Sequence, residues 1–173
     1  MKIAILLSAL SLTAASSAQS PMACPMQQEQ GAADQHAAGV DMRGDHAMGF
    51  SHDATAHHFT LLPDGGIIEV DIKADRDGAT RDQIRAHLTH IAAMFSAGNF
   101  DVPMFIHDQI PPGVPVMKAK QAIIVYAFRP TDRGGQVRIT TTDPEALSAV
   151  HDFLTFQIQD HSTGDSTAVQ HQP

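Results

Sequence analysis

Two short turn segments constrain this chain more than any other feature. Pro63-Asp64-Gly65-Gly66 and Pro130-Thr131-Asp132-Arg133-Gly134-Gly135 carry Pro, Asp and a Gly pair in the same order, the second with two extra residues. Such residues reverse a chain because Pro presets one backbone angle and Gly accepts angles that other residues resist. Each turn lies between segments with strand character. His58-Phe59-Thr60-Leu61-Leu62 precedes the first, and Ile67 to Lys73, alternating apolar with polar, follows it. Ala122 to Phe128 and Gln136 to Thr142 flank the second.

A helix signal follows each hairpin. Thr80 reads as an N-cap with Gln83 completing a capping box, and the helix runs to about Ala97, where Gly98-Asn99 stops it. Asp143-Pro144 reads as N-cap and first helical position of a helix that runs to about Asp160 and ends before Gly164. One strand-strand-helix unit cannot cover its own apolar face. The expected fold class is therefore α+β: two β-β-α units forming a four-stranded antiparallel sheet with two helices on one face.

The two units define residues 57–164 as the domain. Between them, Asn99 to Lys120 carries Pro103, Pro111, Pro112 and Pro115 and reads as a stiffened crossover, apolar enough at Val102 to His107 to dock on the body. Residues 19–56, rich in Gln, Ala, Gly, Asp and His without clear periodicity, read as a flexible leader containing His and Met. Residues 165–173 read as a disordered tail.

Residues 1–18 have the pattern of a signal peptide: Lys2, an apolar stretch from Ile3 to Leu12, and small residues at Ser16-Ser17-Ala18. The expected location is periplasmic or secreted. The single cysteine, Cys24, cannot form an internal disulfide, so packing must hold the fold. It stands in Met22-Ala23-Cys24-Pro25-Met26, with sulfur at alternate positions, a pattern suited to catching a soft metal. Pro21-Met22-Ala23 lacks the leucine that a lipidated cysteine wants three residues upstream.

Charge and composition then narrow the partners. The formal charge of -8 disfavours a nucleic-acid backbone, and the absence of Trp with a single Tyr removes the usual stacking platforms. No apolar run reaches the ~20 residues that a membrane-spanning helix needs. Histidine is the unusual residue: 11, as many as Lys and Arg together, beside 8 Met.

The first helix concentrates those donors. Ile84, Leu88, Ile91 and Phe95 form its apolar stripe, and His87, His90 and Met94 a second stripe about a quarter turn away. Imidazole with thioether suits copper better than calcium or magnesium, which take oxygen. On a straight helix the outer pair is about 10 Å apart, so other segments must complete a site. His58 and His107 are the expected completing ligands. His57 and His58 point to opposite faces of the strand, so only one of them can join. His151 and His161 border the second helix's core stripe of Leu147, Val150, Leu154 and Ile158. Met48 and His52 form a candidate lid. The expected function is binding of a transition-metal ion, copper first, for handling or tolerance. A homo-oligomer is compatible with the sequence.

Other classes use the same residues differently. A His/Met pair can clamp a haem iron, although the Cys-x-x-Cys-His attachment signature is missing. A hydrolytic enzyme would take His87 or His58 as general base with Asp108 or Asp101 orienting it, but no nucleophile elbow, zinc-protease motif or phosphate loop accompanies them. A metal-free interaction module is the third alternative.

Met48-Gly49-Phe50, His57-His58-Phe59, Arg81-Asp82-Gln83-Ile84-Arg85 and Phe156-Gln157-Ile158-Gln159-Asp160-His161 together resemble a family of small exported bacterial proteins without an established activity. The likeness covers roughly residues 45–165. It implies export and these domain limits, and it carries no functional residue across.

Overall fold

The computed structural model describes residues 25–171, with side chains from residue 30 onward. The signal-peptide reading of residues 1–18 and the Cys24 reading lie outside the described residues.

Four strands form one antiparallel sheet: β1 (Thr55–Leu62), β2 (Gly65–Ile72), β3 (Val125–Pro130) and β4 (Gly134–Thr140), in the order β1-β2-β4-β3. The helix of each unit packs over the hairpin of the other. Helix α2 (Gly78–Ser96) lies on β4 and β3, and α5 (Pro144–Asp160) lies on β1 and β2. The α+β fold expected from the two turns is therefore present, with the units interlocked rather than side by side.

The Gly pairs explain how β2 and β4 meet at the centre. Gly65 stands opposite Thr140, and Gly134 stands opposite Asp71, the same pairing at the two ends of the contact. A Cβ on Gly65 would meet the Ile139 carbonyl oxygen at 2.0 Å, and one on Gly134 would meet the Val70 carbonyl oxygen at 2.0 Å. Both turns need glycine because each leads straight into a central strand with no room for a side chain.

One sheet face is apolar and the other polar, as alternation requires. Phe59, Leu61, Ile68, Val70, Val137 and Ile139 are buried against Ile84, Leu88, Ile91 and Phe95 of α2 and against Val150, Phe153, Leu154 and Ile158 of α5. On α5 the buried face includes Ala146 and Phe153, while Leu147 lies at its margin.

The caps differ in one place from expectation. Asp77, not Thr80, begins α2, accepting a hydrogen bond from the Thr80 amide at 3.0 Å. Asp143 does the same for α5, accepting from the Ala146 amide at 2.8 Å. Both units thus start their helix on an aspartate.

Three segments carry more structure than their sequence announced. The proline-rich crossover folds into two short helices, α3 (Asp101–His107) and α4 (Val114–Ala119); α4 packs on α5. The leader contains α1 (Pro25–Met48), which lies along α3 and ends where Gly49 takes a positive φ of 78°. Its Ala and Gln content favours helix without giving it a clear apolar stripe, so periodicity does not reveal it. Val40 is buried, and the Arg43 guanidinium donates to the Ile106 carbonyl at 2.7 Å. The tail follows β1: Asp165 accepts from the Phe59 amide, and the Gln170 amide donates to the Leu61 carbonyl. Among the described residues, no helix is long and apolar enough to cross a membrane.

Candidate functional site

The alternation of β1 decides which histidine enters the protein. Phe59 and Leu61 face the core, so His57, two residues before Phe59, faces it as well. There it lines a cavity of about 60 Å³ together with His87 of α2, His107 of α3 and His161, the C-cap of α5. Met48, the last residue of α1, lines the same cavity. Four imidazoles and a thioether from five separate elements share one small volume, with Phe59, Val70, Leu88 and Phe153 among the apolar walls. Among the described residues, no carboxylate lines it.

Three of the rings pack against one another. His57 and His161 stack with centroids 5.7 Å apart, and His161 meets His107 edge-on at 4.9 Å. Phe50 lies 6.5 Å from His57 and 5.6 Å from His87. Burial and the neighbouring imidazoles push His57 down to about 3. Burial first, with His90 adding to it, pushes His87 down to about 4. Burial also pushes His161 down to about 4, helped by His107 and opposed by Asp160. All three are neutral at pH 7, and none owes any part of its shift to a hydrogen bond. A neutral imidazole with a spare ring nitrogen is the form that ligates metals.

His107 is different. Its Nδ1 is 2.5 Å from Asp160 Oδ2 and its Nε2 is 3.0 Å from Gln157 Oε1, so both nitrogens are engaged. The carboxylate can only accept, which puts a proton on Nδ1. The ring's Nε2 faces the Gln157 side-chain oxygen, and the Gln157 Nε2 is left buried without a partner. Asp160 holds His36 of α1 as well, at 2.9 Å. Its burial raises the carboxyl, but the hydrogen bonds from His107 and His36 outweigh this and leave it below the usual range. His107 is a strut that fixes the pocket wall.

Set against the expected ligands, His87 and His107 reach the pocket, His107 with its nitrogens already committed. His90 is exposed, away from the pocket, and Met94 packs at the edge of the core without lining it. His58 faces the opposite side of the sheet, where its Nδ1 is 3.1 Å from Asp165. The expected stripe therefore splits: α2 turns His87 inward and carries the other two donors past the cavity. Of the lesser candidates, Met48 and His161 line the pocket, whereas His151 bonds the Leu62 carbonyl at 2.8 Å. The His-Asp pairs proposed for hydrolysis also differ. The chain pairs His107 with Asp160, His58 with Asp165 and His52 with Asp45, not His87 or His58 with Asp101 or Asp108.

Sequence reasoning weighed His57 against His58 and chose the outward one. The signal was available, because the apolar residues at 59 and 61 fix the inward parity of β1. Among the described residues, no three His, Cys, Asp or Glu side chains already surround a single point where an ion would sit. The pocket gathers donors without closing them. The cavity accommodates a few waters or one ion. Comparison with known protein families, curated proteins and solved structures finds no match. Fold and pocket therefore define the class, an α+β protein with a cavity lined by histidines.

Proposed function

We propose that this protein binds one copper(I) ion in the histidine-lined pocket, for handling of the metal rather than for catalysis. The observation that carries the reading is the convergence of His57, His87 and His161, all neutral and without hydrogen bonds that shift them, with Met48 on one apolar cavity.

Donor chemistry favours the monovalent ion. Thioether is a soft ligand that selects copper(I), and imidazole accepts copper in either state. The cost of taking an ion out of water rises with the square of its charge, and among the described residues no carboxylate lines the cavity to offset a second positive charge. Binding requires His57 and His161 to leave their parallel stack and turn their nitrogens toward a common point. The signal-like residues 1–18 fit a protein that meets its metal outside the cytoplasm.

The test is a titration with copper(I) against a competing chelator, in a Cys24→Ser background that removes the soft thiolate near the N-terminus. One equivalent is expected to bind. The pair His57→Ala/His161→Ala should abolish the tight phase, and His90→Ala/Met94→Ala should leave it within about threefold. No stoichiometric binding, or loss only in the His90/Met94 pair, overturns the reading.

A further inference from the structure

The segment that follows α5 covers an outer edge of the sheet. β1 stands at one end of the strand order, and an uncovered edge is a ready template for another chain. Among the described residues, hydrogen bonds fasten the segment to that edge at two points. Asp165 accepts from the Phe59 amide at 2.9 Å and lies 3.1 Å from His58 Nδ1, and the Gln170 amide donates to the Leu61 carbonyl at 2.8 Å. Residues 166–171 are exposed, Val169 among them at 41%.

The joint behind this arm is bent into left-handed backbone twice in three residues. Ser162 has a φ of 50° and Gly164 a φ of 77°. Glycine accepts such angles freely, whereas serine is strained by them. The end of α5 imposes the bend: the Ser162 amide donates to the Gln159 carbonyl and the Thr163 amide to the Ile158 carbonyl, both at 3.2 Å. A straightened joint relieves the strain, and it no longer returns the arm to its own β1.

A second copy of the chain offers the straightened arm the same partners. Two arms exchanged about a twofold axis keep every docking contact and leave both β1 edges covered. The balance between the two forms then rests on joint strain and concentration. We propose that residues 165–171 are an exchangeable arm, and that two copies of this chain dimerise by each laying it along the other's β1. The exchange needs no metal and stands apart from the copper reading.

The experiment follows the full chain by analytical ultracentrifugation, with Cys24→Ser to remove thiol-linked dimers. A short tether holds its own arm at an effective concentration of about 1 mM, so the parent should be monomeric near ~10 μM and partly dimeric near ~1 mM. Gly164→Ala places a Cβ where nothing lies within 4 Å, so it strains the bent joint without a clash. It should raise the dimer association constant about tenfold per joint, and Ser162→Gly should lower it by as much. Opposite responses from two single substitutions cannot come from a common loss of folding. A Gly164→Ala chain that is still monomeric near ~1 mM overturns the exchange. A dimer of equal strength in both variants also overturns it, because that dimer forms through another surface.

Discussion

The imidazole of His57, on the first strand, lies parallel to that of His161, at the end of the last helix, with 3° between the ring planes. Two stacked imidazoles repel if both are charged, and the low-dielectric surroundings strengthen that repulsion. The pair therefore exists only while at least one ring is neutral, and burial keeps both so at pH 7.

Stability should consequently fall as the solution is acidified. His57, His87 and His161 titrate at 6.5 in the unfolded chain and at about 3, 4 and 4 in the folded one. Below pH 6.5 the unfolded state binds more protons, so their contribution is full above that value. It is lost progressively as pH drops toward the folded values. Each histidine contributes a slope of about 1.4 kcal/mol per pH unit in that window. Urea midpoints measured from pH 7.5 to 4.5 should drop steeply, and His57→Phe should reduce the slope. His52 acts with the opposite sign: its Asp45 partner raises it, so that contribution is present below pH 6.5 and fades as pH rises. Its side chain is 38% exposed and screened, which leaves the three half-buried pocket histidines in control. A midpoint independent of pH would contradict the half-buried, neutral assignment.

Asp160 ties three helices by holding His107 of α3 and His36 of α1 from the end of α5. Asp160→Asn leaves a side chain that can accept at only one position and that brings a donor of its own. His107, 1% exposed, then sits in the core with an uncertain partner for Nδ1–H. The expected loss is about 2–4 kcal/mol in urea unfolding. Asp165→Asn, whose His58 partner is half exposed, should cost less than about 1 kcal/mol. Equal losses at the two sites would mean that the His107 contact is not a strut.

The fold was legible where its signals are local. Pro63 to Gly66 and Pro130 to Gly135 mark two hairpins by turn chemistry, and the spacing of Ile84, Leu88, Ile91 and Phe95 marks a helix face. Helix α1 was not legible because its residues favour helix without a stripe, and its anchors, Val40 and Arg43, depend on α3 being in place. The short helices of the crossover were hidden behind prolines that usually break helices. The site was half legible. Helical spacing brought His87 to notice but carried His90 and Met94 along with it, though a stripe a quarter turn from the core straddles the boundary between buried and exposed. The choice of His58 over His57 was a parity question that Phe59 answers. No rule of spacing places His161 against His57, because that contact forms only when α5 crosses over the other unit's hairpin.

The interlocking of the units makes a last prediction possible at the centre of the sheet. Gly65 and Gly134 occupy equivalent places, and a Cβ at either would come within 2.0 Å of a carbonyl oxygen on the facing central strand. Backbone cannot swing aside as a side chain can, so β2 and β4 would have to separate locally. Gly134→Ala should therefore cost about 1–3 kcal/mol from overpacking. Gly65→Ala should cost more, because its φ of 145° adds backbone strain to the same clash. Gly31→Ala, on α1 with nothing within 4 Å of a new Cβ, is the control, and it should be neutral or slightly stabilising through helix propensity. Thermal unfolding of the three variants at pH 7.5 gives the ranking directly. If Gly134→Ala melts with the parent chain, β2 and β4 do not meet as closely as described. The crossing of α2 and α5 over the opposite hairpins would then lose its foundation.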